Sequence, residues 1–169
     1  MGTLLLIFLA KIAEVSLMTI RTVYITKGEK FYGSLIGFVE VSIWLEVVSV
    51  VLLNIQYHPS RMIVYALGFS CGNYIGCVLE DKLAIGLLTI NTITSGNDSL
   101  KLVEILREKN IGVTTVNVEG INKDKKMLII HVKRKRKNEV ISIIENSKIN
   151  AVTTINDIRR VYGGYGLKK

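Results

Sequence analysis

Residues 62–79 read MIVYALGFSCGNYIGCVL, eighteen positions without a charge. From Ile85 to Thr94 the text becomes IGLLTINTIT, rich in Ile, Leu and Thr. A helix climbs 1.5 Å per residue, so the first run spans about 27 Å, close to the ~30 Å hydrocarbon core of a bilayer. The second run has the composition of a β-strand. The fold divides between these two runs: membrane helices before the boundary, a mixed α+β domain after it.

Two more apolar stretches precede the charge-free run. Thr3–Ile20 is apolar except for Lys11 and Glu14, and Phe31–Tyr57 except for Glu40 and Glu46. Three such stretches in succession predict three transmembrane helices over residues 1–82 rather than buried core helices. Lys11 and Glu14 inside the first run, with no charged segment leading it, read against a cleaved signal peptide. The whole chain has 169 residues, 49% hydrophobic, with one Pro and two Cys. That composition excludes a disordered chain and a disulfide scaffold.

Charge follows the same boundary. Residues 1–83 carry six Lys/Arg and six Asp/Glu; the remainder carries sixteen of the 22 basic and eight of the 14 acidic residues, hence the entire net charge of +8. Lys27 and Lys30 in the first loop, no Lys or Arg in the second until Arg61, and a basic segment after Asp81 give one orientation. Basic loops stay inside, so the N-terminus is expected outside and the C-terminal half in the cytoplasm of a multi-pass cell-membrane protein.

The second half, residues 83–169, alternates strand and helix signals. After Ile85–Thr94, Ser95–Asp98 is a turn with a helix N-cap. Ser99–Lys109 places Leu100, Val103 and Leu106 at helical spacing, with Asn110 and Gly112 as stop signals. Val113–Val118 and Met127–Val132 read as strands around a polar turn at Glu119–Asp124. Asn138–Ser147 reads as a helix and Ala151–Ile158 as the last strand. The order β-α-β-β-α-β predicts a ferredoxin-like domain with both helices on one sheet face and the other face open, the kind of face that self-association covers.

Several residues draw functional attention. Gly68, Gly72 and Gly76 form a ridge four residues apart, and Gly33 and Gly37 repeat the step; small residues at that spacing admit a neighbouring backbone, inside the three-helix unit or between subunits. Asn73 beside the ridge is expected to hydrogen-bond across helices. The intramembrane charges are the costliest feature, roughly 2.5–3.5 kcal/mol each on insertion scales when ionised and unpaired. Measured from the inner ends, Glu14 and Glu40 lie about 15 Å deep and Lys11 and Glu46 about 20 Å deep. Lys11 therefore pairs either with Glu46 at its own depth or with Glu14 three residues on. Arg21 lies near the inner surface, at the depth of Glu80 and Asp81. One Lys does not neutralise three carboxylates, so at least one of Glu14, Glu40 and Glu46 is expected to be protonated, bound to a cation, or paired with Arg21 or a neighbouring subunit. Glu14 and Glu40 are candidates for a proton or cation site, with structural pairing as the competing reading.

The densest charge run is Lys133-Arg134-Lys135-Arg136-Lys137, between the third strand and second helix of the domain. Little chain separates Glu80 from the first strand, so the domain is expected beside the bilayer, where anionic inner-leaflet lipid attracts such a run by about 1 kcal/mol per residue. An anionic, nucleotide-like ligand is the sharper expectation. Nucleic acid is disfavoured because no aromatic stacking platform accompanies the run. Gly163-Gly164-Tyr165-Gly166 reads as a tail rather than a phosphate loop. His58 and His131 have no metal-ligating neighbours in sequence, so no metal or cofactor is expected. Cys71 and Cys77, about 240° apart on a helix, read as packing residues. No nucleophile elbow, Walker loop or dinucleotide fingerprint occurs, and the chain is not expected to be an enzyme.

Gly68–Gly86 (GFSCGNYIGCVLEDKLAIG), Thr19-Ile20-Arg21 and Glu40–Glu46 (EVSIWLE) together resemble an uncharacterised family of small bacterial three-helix membrane proteins. The second half is similar to the domain of unknown function that also ends YitT-type membrane proteins, and more distantly to PII-type signalling domains. The resemblance implies a cell-membrane location and the ferredoxin-like fold, without an activity. The PII likeness implies subunit association and anionic nucleotides. Two functions follow as expectations: an oligomeric membrane-anchored sensor of an anionic ligand, or a small transporter built on the membrane carboxylates.

Overall fold

The computed structural model describes residues 2–53, 56–120 and 124–163. The chain forms two compact units, Met1–Ala84 and Ile85–Lys169.

The first unit is three long helices, α1 (Gly2–Lys27), α2 (Lys30–Leu52) and α3 (Ser60–Leu83). Each is long and apolar enough to cross a membrane. α1 lies in the middle and packs against both α2 and α3, which hardly meet each other. The α1–α2 turn is tight because Gly28 takes φ 83°. In that left-handed conformation its N–H reaches Ile25 O at 3.0 Å and the Glu29 N–H reaches Tyr24 O at 2.9 Å, closing the last carbonyls of α1. Tyr24, Phe31 and Tyr32 cluster at this turn with ring centroids 5.5 and 5.8 Å apart, as aromatic residues do at a membrane–water boundary. α2 stops at Leu52, inside the apolar stretch that runs on to Tyr57, because Leu53 turns extended and Arg61 takes over the helix end. The Arg61 Nη1 donates to Val50 O at 2.9 Å and to Leu53 O at 2.7 Å, a cationic C-terminal cap.

The second unit is β1 (Leu87–Ser95), α4 (Gly96–Glu108), β2 (Val113–Val118), β3 (Lys125–Lys133), a 3-10 turn over Arg134–Arg136, α5 (Lys137–Asn146) and β4 (Val152–Ile158). The four strands run in the order β2-β3-β1-β4, every neighbouring pair antiparallel. This is the ferredoxin-like topology. Ile90, Leu128, Ile130 and Val132 point to the face covered by the helices, where they meet Leu102, Leu106, Val140 and Ile144. Each such buried aliphatic side chain contributes about 1.5–3 kcal/mol through removal from water. Of the alternate strand positions, Ile93, Val116 and Val152 remain exposed on the other face.

The N-terminus of α4 shows why Gly96 is glycine. A Cβ there would lie 2.6 Å from both Asp124 carboxylate oxygens. Asp124 therefore sits over the positive end of the helix, and Ser95 Oγ accepts the Asp98 N–H at 3.2 Å as N-cap. Gly164, Tyr165 and Gly166 of the expected tail, Asn54 of the second loop and part of the Glu119–Asp124 turn lie outside the described residues.

Candidate functional site

Four charged residues of the membrane unit form two separate ion pairs. Lys11 and Glu14 are both buried, and the Lys11 Nζ donates to Glu14 Oε2 at 2.5 Å and to Tyr65 Oη at 2.8 Å. The same ammonium stands 4.2 Å from the Tyr65 ring centre and 5.6 Å from that of Phe69, where the negative ring faces add to its stabilisation. Arg21 uses its fork on Glu40: Nε donates at 2.5 Å and Nη2 at 3.2 Å to the two carboxylate oxygens. Of the partners that the sequence left open to Arg21, namely Glu80, Asp81 and the membrane carboxylates, its fork takes the buried Glu40 of α2. Glu46 does not meet Lys11. It lies exposed on α2, 240° around the axis from Glu40 by helical geometry, and its carboxylate has no hydrogen-bond or ion-pair partner among the described residues.

The glycine ridge packs inside the unit. A Cβ at Gly68 would stand 3.0 Å from Lys11 Cβ, at Gly72 2.8 Å from Val15 Cβ, and at Gly76 2.5 Å from Thr19 Oγ1. Gly33 lies against Ile25 and Gly37 against the Arg21 stem. The expected cross-helix hydrogen bond of Asn73 is not made among the described residues; Ser16, which sequence reasoning passed over, donates to Gly72 O at 3.3 Å instead. Cys71 and Cys77 are both exposed rather than packed.

The C-terminal domain gathers charge at one end. Antiparallel pairing puts Leu87, the first residue of β1, opposite both Lys133 and Ile158. The chain leaves β3 into Arg134–Lys137 there, with the Arg134 N–H on Gly86 O at 3.0 Å, and leaves β4 into Arg159 and Arg160. α4 ends at the same place: Arg136 Nη2 donates to Lys109 O at 2.9 Å. Arg136 is also held by Glu139, at 2.7 and 2.8 Å, which raises the guanidinium pKa and lowers that of the carboxyl. Lys109, Lys133, Lys135, Arg159 and Arg160 are exposed, while Arg134 and Lys137 are half-buried. The run read from sequence is thus one part of a basic end drawn from α4, β3, α5 and the exit of β4.

Two other places suit a ligand less well. The N-terminus of α4 is already covered by the Asp124 carboxylate. A shallow depression of about 400 Å³ at the opposite end of the sheet is lined by Ile93, Val118, Val152, Lys125 and Glu119, with little polar convergence. No cluster of three or more His, Cys, Asp or Glu able to hold a metal occurs among the described residues. His131 instead shares a 2.8 Å hydrogen bond with Thr89 on the open sheet face.

Three apolar helices with two internal ion pairs, followed by a ferredoxin-like domain with one basic end, define a multi-pass membrane protein carrying an α+β domain. Residues 19–77 match a family described as a domain of unknown function (DUF5698), and residues 111–163 match one described as an uncharacterized protein conserved in bacteria (DUF2179). A UPF0316 protein of Clostridium botulinum (strain 657 / Type Ba4) is 66% identical over 163 residues, 96% of each chain. A UPF0316 protein of Acetivibrio thermocellus is 37% identical over 160 residues, which is 95% of this chain and 77% of that one. The chain belongs to the uncharacterised UPF0316 family.

Proposed function

We propose that the protein is a non-enzymatic, membrane-anchored regulatory module of the cell membrane, with its N-terminus outside and its C-terminal domain in the cytoplasm. The domain binds a phosphate-bearing small ligand of the nucleotide kind at its basic end. The observation that carries this reading is the convergence of Lys109, Lys133, Lys135, Arg159 and Arg160, exposed cations from separate elements, on one end of one small domain. Cations converging in this way concentrate anions from solution and hold phosphate oxygens by charge-assisted hydrogen bonds. The rival transporter reading, built on Glu14, Glu40 and Glu46, depends on carboxylates free to take up a cation. Two of the three, Glu14 and Glu40, are each held by a cation of the same chain, which speaks for an anchor.

Thermal unfolding of the full chain in neutral-lipid nanodiscs tests the ligand. A panel of mononucleotides and cyclic dinucleotides is compared with a variant carrying Lys133→Glu, Lys135→Glu and Arg159→Glu. A ligand at a hundredfold excess over its Kd stabilises the protein by about 2.7 kcal/mol, and this stabilisation is expected to vanish in the variant. No stabilisation by any member of the panel, or stabilisation that survives charge reversal, would sink the reading.

A further inference from the structure

Three of the four charged residues deep in the helical unit, Lys11, Glu14 and Glu40, are buried and neutralised within the chain. Glu46 is the exception. α2 buries Gly33, Glu40, Val47 and Val51 along the side that packs on α1. Ser42, Glu46 and Ser49 recur at intervals of four and three residues, which places them on a single face roughly opposite that buried side, and all three are exposed. Their face would otherwise meet lipid. The Ser42 hydroxyl donates to Phe38 O and the Ser49 hydroxyl to Glu46 O, each at 2.8 Å, so both serines keep oxygen lone pairs for an outside donor. Glu46 stands six residues from the end of the helix, about 9 Å along the axis, too far in for a short glutamate side chain to reach headgroups easily.

We propose that this face of α2 is the contact surface for a second copy of the chain. Copies inserted in the same orientation and related by an axis along the membrane normal present Ser42, Glu46 and Ser49 to one another at equal depth. A protonated carboxyl both donates and accepts, so Glu46 of one copy bonds the carboxyl or the serine oxygens of the other, and the stripe satisfies itself. A polar group in hydrocarbon without such a partner is costly, and interhelical hydrogen bonds are a recognised source of association between membrane helices. The glycine ridge of α3, by contrast, is already occupied by α1. This contact does not depend on what the C-terminal domain binds.

The full chain in lipid nanodiscs, with Cys71 and Cys77 replaced by alanine, gives the test. Ser49→Cys is expected to form a cross-linked dimer on copper-phenanthroline oxidation, whereas Leu5→Cys on the exposed side of α1 is not. Glu46→Leu is expected to weaken self-association by about tenfold, while Glu46→Gln, which still donates and accepts, retains it. A chain that stays monomeric, or a dimer indifferent to Glu46→Leu and lacking the Ser49 cross-link, overturns the proposal. Should Glu46→Leu fail to fold, the cross-link in the Glu46 background decides alone. Occupation of the face by lipid or by a cation would appear as a monomer with no cross-link.

Discussion

Lys11→Leu is expected to destabilise the helical unit by about 3–5 kcal/mol, and Glu14→Leu in the same chain to recover most of the loss. The single change leaves a buried carboxylate without its ammonium, and Tyr65 loses the donor it accepts from at 2.8 Å. The double change removes both charges and puts aliphatic volume in a site already walled by Tyr65 and Phe69. A double-mutant cycle read by unfolding in mixed micelles measures the coupling. Neutral single variants would mean that the pair contributes nothing to the packing of α1 on α3.

Gly72→Ala is expected to cost about 1–3 kcal/mol, and Gly72→Leu to separate α1 from α3 altogether. The added Cβ would stand 2.8 Å from Val15 Cβ, 3.1 Å from Ile12 O and 3.2 Å from Ile12 Cα. Two of those atoms are helical backbone, which does not yield as a flexible side-chain tip does. Gly2→Ala, with nothing within 4 Å, serves as the control and should be silent. The same unfolding assay reads both, and wild-type stability for Gly72→Leu would show that the ridge is not where the helices close.

Much of this architecture was legible in the sequence. Hydrocarbon thickness fixes how long an uncharged run must be, so residues 62–79 could be read as a spanning helix without reference to anything else. The strand pattern of Ile85–Thr94 and the signals after it yielded the element order, and the order restricts the sheet to few topologies. The turn chemistry shifted element ends by one to three residues: α4 begins at Gly96, not Ser99, because Ser95 is the cap.

Side-chain partners were less legible because they depend on reach and rotation rather than on height. Arg21 and Glu40 differ in height by about 8 Å when counted along their helices, and a long guanidinium stem spans that gap where depth arithmetic sees a mismatch. Lys11 and Glu46 agree in depth yet fail to meet because Glu46 points away from α1, a rotation that the evenly apolar composition of α2 conceals. Arg159 and Arg160 join the basic run only through β4 pairing with β1 and β1 with β3, two long-range steps that no local window contains. Asp124 reaches the start of α4 in the same non-local way.

The claim that the helices anchor rather than conduct is tested most directly by proton and cation flux into liposomes containing the purified chain. Flux no greater than in protein-free liposomes is expected, with Glu40→Gln altering stability alone. A wild-type flux that disappears in a folded Glu40→Gln variant would contradict it, and would place the function in the membrane carboxylates instead of at the basic end of the C-terminal domain.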